Sequence, residues 1–331
     1  MRAAFEHCRE PIRRIGGTVN WQQFKKIVAF YGRYTPSYTQ VGYAVRRLGW
    51  RQITPSFRGQ HWLVTGASGG LGRSIALSAA RAGASVTVVA RSSRKLASLL
   101  LEEPSGLMPR VCDLSLRRDV AKLIDYLARG GRKIDVLVNN VGVLLDDFSV
   151  TDEQRETSFA TNLLMHYQLT EGLIDRGVLA RGALVINMSS AGMYNVPLNV
   201  AAMNAATAAE YSGVAAYGFH KRAQVVLNCD WQNRYGGRGL TFYVMHPGWA
   251  DTDGVKRSLP RFRRILKPIL RDEWSGTDTA IWLAATRPPP PLHESIWFDR
   301  KLRPAHVYPH TRRSKDTPET LRAYLQQELA K

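Results

Sequence analysis

Between residues 61 and 143, short apolar runs rich in β-branched side chains alternate with longer stretches whose apolar residues recur every three or four positions. HWLVT (61–65), SVTVVA (85–90), LMPRVC (107–112) and DVLVN (135–139) predict buried strands. The stretches near 70–82, 93–102 and 117–130 set Arg, Lys and Glu between their apolar positions and predict amphipathic helices. ALVINM (183–188) and LTFYVM (240–245) continue the strand series, and SIWF (295–298), just beyond the stiff proline run 288–291, is a seventh candidate. Strands alternating with helices build parallel βαβ units. The fold class expected is α/β: one doubly wound parallel sheet of about seven strands over residues 59–300, with helices on both faces.

Residues 1–58 have a different pattern. In NWQQFKKIVAFYGRY, Trp21, Phe24, Ile27, Val28 and Tyr31 share one helical face; after Pro36, the residues Val41, Ala44, Val45 and Leu48 repeat the spacing with Arg46 and Arg47 between them. This predicts a basic amphipathic helical extension. Packing on the main domain, contact with an anionic membrane surface and organelle targeting all remain open for it, although Glu6 and Glu10 count against a targeting peptide. Residues 301–331 read as a basic tail with a short helix.

Composition narrows the classes. Of 331 residues, 44% are hydrophobic and 22% charged, which excludes a disordered or collagen-like chain. No run approaches the roughly 18 apolar residues of a membrane span. The three cysteines, Cys8, Cys112 and Cys229, are too few and scattered for a disulfide framework, so an intracellular, reducing compartment is expected, the cytoplasm first, with peripheral membrane or mitochondrial association left open. The net charge of +19 sits on the flanks: +9 over residues 1–58 and +8 over 256–331, against +2 between them. That distribution speaks against nucleic acid as a partner of the central domain. His220 and His246 have no second ligand at a zinc-like spacing, so no metal site is expected.

After the first strand comes TGASGGLG, residues 65–72, running straight into a helix. Glycines let backbone amides approach a pyrophosphate, and the helix N-terminus adds a favourable dipole; strand before and helix after supply the context of a dinucleotide-binding loop. An Asp or Glu closing the second strand would favour NAD(H). Here Arg91 takes that place, with Ser92, Arg94 and Lys95 nearby, so NADP(H) is preferred over NAD(H).

In AAYGFHKRAQVVL, Tyr217 and Lys221 lie four apart, on one helical face. An ammonium near a phenol favours the phenolate, so this pair predicts a tyrosine able to exchange a proton near neutral pH. Ser189 and Ser190 end one strand, Asn139 and Asn140 another, both at the carboxyl edge where open α/β sheets bind ligands. The ordered set TGASGGLG, Asp113-Leu114, NNVG, Asn162, Ser190, YGFHK and HPGWADT resembles the short-chain dehydrogenase/reductase family over about residues 59–300.

The resemblance implies a Rossmann-type fold and a set of roles. Tyr217 is the general acid/base, Lys221 binds the nicotinamide ribose and lowers the tyrosine pKa, Ser190 holds the substrate oxygen, and Asn162 keeps a relay water behind Lys221. It implies cofactor contacts from Gly66, Ser68, Gly70, Leu71 and Gly72, from Asp113 and Leu114 at adenine, from Asn140, Val141 and Gly142 at the adenosine ribose, and from Pro247, Ala250 and Thr252 at the carboxamide and phosphate. Two departures stand out: Val141 replaces the commoner Ala, and Ser190 precedes Tyr217 by 27 positions, so residues 191–216 hold an insertion of the kind found in the retinol-dehydrogenase-like branch. The insertion is either a helical lid or a surface excursion, and Ser189 competes with Ser190 for the substrate role. The function expected is NADP(H)-dependent hydride transfer to or from a small-molecule carbonyl or alcohol on a lipophilic substrate, with a homo-oligomer among the assemblies left open. The alternative is a non-catalytic dinucleotide-binding scaffold docking through its basic flanks.

Overall fold

A computed structural model describes residues 34–103, 105–252, 256 and 260–331. The helix predicted around Trp21–Tyr31 lies outside them. Eight strands form one sheet: β1 (His61–Thr65), β2 (Ser85–Ala90), β3 (Leu107–Val111), β4 (Ile134–Asn139), β5 (Leu179–Met188), β6 (Thr241–Met245), β7 (Ser295–Phe298) and β8 (Lys301–Pro304). Their order is β3-β2-β1-β4-β5-β6-β7-β8, parallel throughout except for the antiparallel β7–β8 pair. The order reverses between β1 and β4, and at such a switch point the loops leaving the carboxyl ends diverge to open a crevice.

Helices cover both faces because the inner strands, β1, β2, β4 and β6 among them, are buried on both sides. Trp62 and Val64 join the layer of α2 (Gly70–Arg81), α3 (Ser93–Glu102) and α8 (Glu273–Thr286). Leu63 points the other way, into a layer shared by α4 (Arg117–Arg129), α5 (Met165–Asp175) and α6 (Gly213–Tyr235). Trp62 is fully buried against Phe57, and truncating such a side chain to Ala costs roughly 3–5 kcal/mol.

Three details go beyond the sequence reading. The sheet has an eighth strand, β8, which the sequence KLRP conceals because it carries one aliphatic residue and ends in proline. The C-terminal segment carries a helix that packs on the domain. A helix, here α9 (Pro318–Ala330; a shorter helix, α7, spans Pro260–Leu266), starts on a capping box between Thr317 and Thr320 and buries Leu321 and Leu325 in the main core. The third concerns α1 (Gln40–Arg47), in the extension preceding the sheet. This helix packs on the domain through Tyr43, with Tyr38 buried just before it, and turns Val41, Ala44, Val45 and Leu48 to solvent, the reverse of what a packed apolar row would do.

The insertion holds short 3-10 turns, Ala191–Asn195 and Val200–Ala202, and no α-helix among its described residues before α6. Tyr194 and Met203 anchor it by burial, and the Asp316 carboxylate accepts from the Val200 amide at 2.7 Å.

Candidate active site

The glycine loop between β1 and α2 is shaped by close approach. Gly66 has φ +65°, and a Cβ there would lie 3.0 Å from Asn140 Nδ2; at Gly72 a Cβ would meet the same nitrogen and the Gly66 carbonyl, each at 2.4 Å. Asn140 is what locks the loop: its Nδ2 donates to the Thr65 carbonyl at 2.8 Å, while Thr65 Oγ1 accepts from the Asn140 and Val141 amides at 2.9 and 3.1 Å. A Cβ on Gly69 would meet nothing within 4 Å, so the loop opens outward there, toward a cavity of about 320 Å³ whose lining includes Ser68, Gly70, Arg73, Lys95, Glu102 and Glu273. Amides at a helix start with no acid in its first turn suit a dinucleotide's phosphates, while the Arg73 and Lys95 charges there are offset by Glu102 and Glu273. Arg91 is exposed at the end of β2. Arg73, which sequence reasoning overlooked, is held by Glu102.

On the other side of the crevice, Leu71, Pro247 and Ala250 converge on Gly276 of α8, where a Cβ would sit 2.8, 3.5 and 3.2 Å from them. Thr252 lies 3.6 Å from the corresponding point on Gly70. Asp113 and buried Leu114 follow β3; the Asp113 carboxylate is engaged by the Ser115 amide and hydroxyl at 2.9 and 2.7 Å.

Asn162, Ser190, Tyr217 and Lys221 come together at the carboxyl edge of β4 and β5. Asn162 is fully buried in a π-helical turn, Ala160–Leu164, that leads into α5, a local irregularity typical of functional positions. Its side chain clasps Val143, accepting from the amide at 2.7 Å and donating to the carbonyl at 2.8 Å. Gly142 fits between: a Cβ there would lie 3.4 Å from Asn162 Oδ1 and 3.5 Å from Lys221 Nζ. The two serines separate. Ser189 Oγ turns away to donate to the Lys221 carbonyl at 2.9 Å, whereas the Ser190 hydroxyl faces Tyr217 closely enough to favour its phenolate.

The electrostatics differ from the sequence expectation. Lys221 Nζ lies 5.4 Å from the Tyr217 ring centroid, yet burial wins on both groups: it holds the phenol above its usual value, offset in part by Ser190, and draws the lysine down to about 7. The tyrosine is therefore a protonated acid at neutral pH, and the lysine sits at the edge of losing its charge. His220 and His166, behind Lys221, are held neutral by burial at about 4 and about 3, and His246 lies stacked on Phe298 at 4.2 Å. Among the described residues no group of three or more His, Cys, Asp and Glu is placed to hold a metal.

A family model for short chain dehydrogenases matches residues 60–261. The chain belongs to the short-chain dehydrogenase/reductase family. This is a family of oxidoreductases acting on small molecules, and the fold just described is its Rossmann-type architecture. Dehydrogenase/reductase SDR family member 12 of Bos taurus is 31% identical over 287 residues, covering 84% of this chain and 89% of that one. Retinol dehydrogenase 12 of Bos taurus is 29% identical over 261 residues, 76% of this chain and 81% of the other. Among solved structures, a protein described as an NAD(P)-dependent gluconate 5-dehydrogenase from Beutenbergia cavernae, with bound NADP, superposes with a TM-score of 0.58 at 25% identity, covering 70% of this chain and 91% of that one.

Proposed function

We propose that this short-chain dehydrogenase/reductase is an NADP(H)-dependent carbonyl reductase, reversible as an alcohol dehydrogenase, acting on a lipophilic aldehyde, ketone or alcohol. The observation that carries it is the gathering of Ser190, Tyr217 and the buried Lys221, whose Nζ lies 5.4 Å from the Tyr217 ring centroid, at the sheet edge that also carries the glycine loop. When bound, the dinucleotide supplies or accepts the hydride. Ser190 and Tyr217 grip the substrate oxygen, and Tyr217, protonated at neutral pH, gives that oxygen its proton. Lys221 steadies the phenolate left behind. Gly66, Ser68, Gly70, Leu71 and Gly72 hold the pyrophosphate, Asp113 and Leu114 the adenine, the backbone from Asn140 to Gly142 the ribose, and Pro247, Ala250 and Thr252 the nicotinamide side. Arg91, helped by Lys95, favours a 2′-phosphate. A lipophilic substrate is supported by the similarity to a retinol dehydrogenase and by the apolar insertion beside Tyr217.

Titration with NADPH and NADH by fluorescence, followed by a screen of aldehydes and ketones for NADPH oxidation, tests the reading. Selective NADPH binding with turnover that Tyr217→Phe abolishes, cofactor binding being kept, is the expected result. Turnover retained by Tyr217→Phe sinks the mechanism.

Peripheral contact with an anionic membrane has its own observation. Val41, Val45 and Leu48 are 58%, 64% and 88% exposed on α1, next to exposed Arg47. Among the described residues no helix is long and apolar enough to cross a membrane, so such contact would be superficial. Sedimentation with phosphatidylserine vesicles, lost in Leu48→Asp, is the expected outcome; equal sedimentation of the variant removes this face.

A further inference from the structure

The tyrosine–lysine pair is braced by a residue that neither spacing nor family motif points to. Gln224 lies one helical turn after Lys221 on α6 and is 2% exposed. Its Oε1 accepts from Lys221 Nζ at 3.2 Å, and its Nε2 donates to the backbone carbonyl of Asn162 at 2.7 Å. The same Nε2 lies 3.4 Å from His166 Nδ1. Lys221 Nζ has a second acceptor, the Met188 carbonyl at the end of β5, at 2.7 Å. A buried amine thus hangs from two fixed oxygens, one on the sheet and one on a side chain that is itself tied to the π-helical turn.

The arrangement has geometric content. A four-carbon stem with three rotatable donors does not by itself hold an amine in one place. The Met188 carbonyl fixes its distance from β5, and Gln224 fixes its direction toward Asn162, leaving the third donor of the ammonium for the crevice beside Tyr217. Resting on the function proposed above, we propose that Gln224 is a positioning residue, joining the Lys221 amine to the Asn162 carbonyl by direct side-chain bonds where the family resemblance implies a bridging water. The π-helical turn matters here, because it is the carbonyl of Asn162 itself that receives the Gln224 amide.

The charge state of Lys221 is the readout that a purely packing role would not move. The titratable groups around it are Tyr217 and His220 on its own helix and His166 on α5; burial alone sets its present value. In ligand-free protein carrying 13Cε-labelled lysine, the Lys221 resonance is assigned by its loss in Lys221→Arg and titrated by NMR. Gln224→Glu, which keeps size and shape, places a carboxylate against the amine and is expected to raise the Lys221 midpoint by at least one pH unit. Gln224→Met, which removes the acceptor, is expected to lower it, and to reduce kcat for carbonyl reduction about tenfold more than it changes the cofactor KM. A melting curve for each variant separates misfolding from loss of the contact, and the isosteric Glu variant decides alone if the Met variant does not fold. An unchanged midpoint in folded Gln224→Glu overturns the inference. A raised midpoint in a protein whose wild type turns over no carbonyl supports it, and overturns only the reductase reading.

Discussion

Arg271 Nε donates to the backbone carbonyl of Tyr38 at 2.9 Å, joining the N-terminal extension to the segment that follows β6. The same carbonyl accepts from the Trp249 amide at 2.9 Å, and Trp249 in turn accepts from the Arg271 amide at 2.8 Å. Asp299 closes the cluster with bonds of 2.6 and 2.9 Å to the guanidinium, both side chains being at most 2% exposed. Extension, loop and β7–β8 turn are thereby one unit, and the loop is the one that carries Pro247, Ala250 and Thr252.

Breaking that unit should cost both stability and cofactor affinity. Arg271→Leu removes two hydrogen bonds from the buried Asp299 carboxylate but leaves it paired with Arg46, so the loss is expected below the roughly 3–5 kcal/mol of a fully unpaired buried charge. A urea midpoint and an NADPH titration on the same preparation check it. Lower stability with unchanged NADPH affinity would show that the brace does not reach the loop.

Arg91 offers a cleaner separation, because it is exposed and its removal leaves the fold intact. Arg91→Ala should weaken NADPH binding about tenfold, the worth of one charge-assisted contact, and leave NADH binding nearly unchanged. Equal losses for the two would mean that the charge is incidental.

Buried histidines set the acid limit of stability. Folded His220 and His166 titrate at about 4 and about 3, against about 6.5 in the unfolded chain. Below pH 6.5 the unfolded chain binds protons that the folded one refuses, so stability falls as pH drops toward 4, on the order of 3 kcal/mol for His220 alone. Lys221, drawn down to about 7, acts in the other range: its cost is full below 7 and shrinks as pH rises toward 10.5. Urea midpoints from pH 4.5 to 9 should therefore climb through both windows, and His220→Gln should flatten the acid one.

At Gly72 the test is steric. An added Cβ needs about 1 Å more than the 2.4 Å available to Asn140 Nδ2 and the Gly66 carbonyl. Gly72→Ala should lower the melting temperature and loosen NADPH binding together, read by calorimetry and fluorescence; an unaffected Kd would detach the Asn140 lock from the cofactor loop.

Much of this was legible in the residues, for physical reasons. Strands β1, β2 and β7 were read to the residue, because a strand buried on both faces is a continuous apolar run bounded by turn residues. The tyrosine–lysine spacing was legible because helical period alone puts the two on one face. Other features had no such signal. In α6 the polar residues His220, Arg222, Gln224 and Asn228 are buried beside Val225 and Leu227, so no amphipathic stripe marks which of them face the site. On α1 the aliphatic row suggested a buried face, whereas Tyr43 makes the contact, its ring edge-on to Trp50. The direction of the Tyr217 shift was also out of reach, since it depends on how far burial outweighs a neighbouring charge.

The outermost strands share one residue type. Pro109 sits in the middle of β3 and Pro304 ends β8, each flanked by an arginine, and among the described residues each strand has a sheet neighbour on one side only. A proline offers no amide hydrogen to a further ladder, and charged side chains on an edge, Arg110 on β3 and Lys301 and Arg303 on β8, disfavour pairing with another edge. The sheet is thus blunted at both margins against continuation into a second molecule. Stacking of copies edge to edge into fibres is thereby disfavoured from the outset.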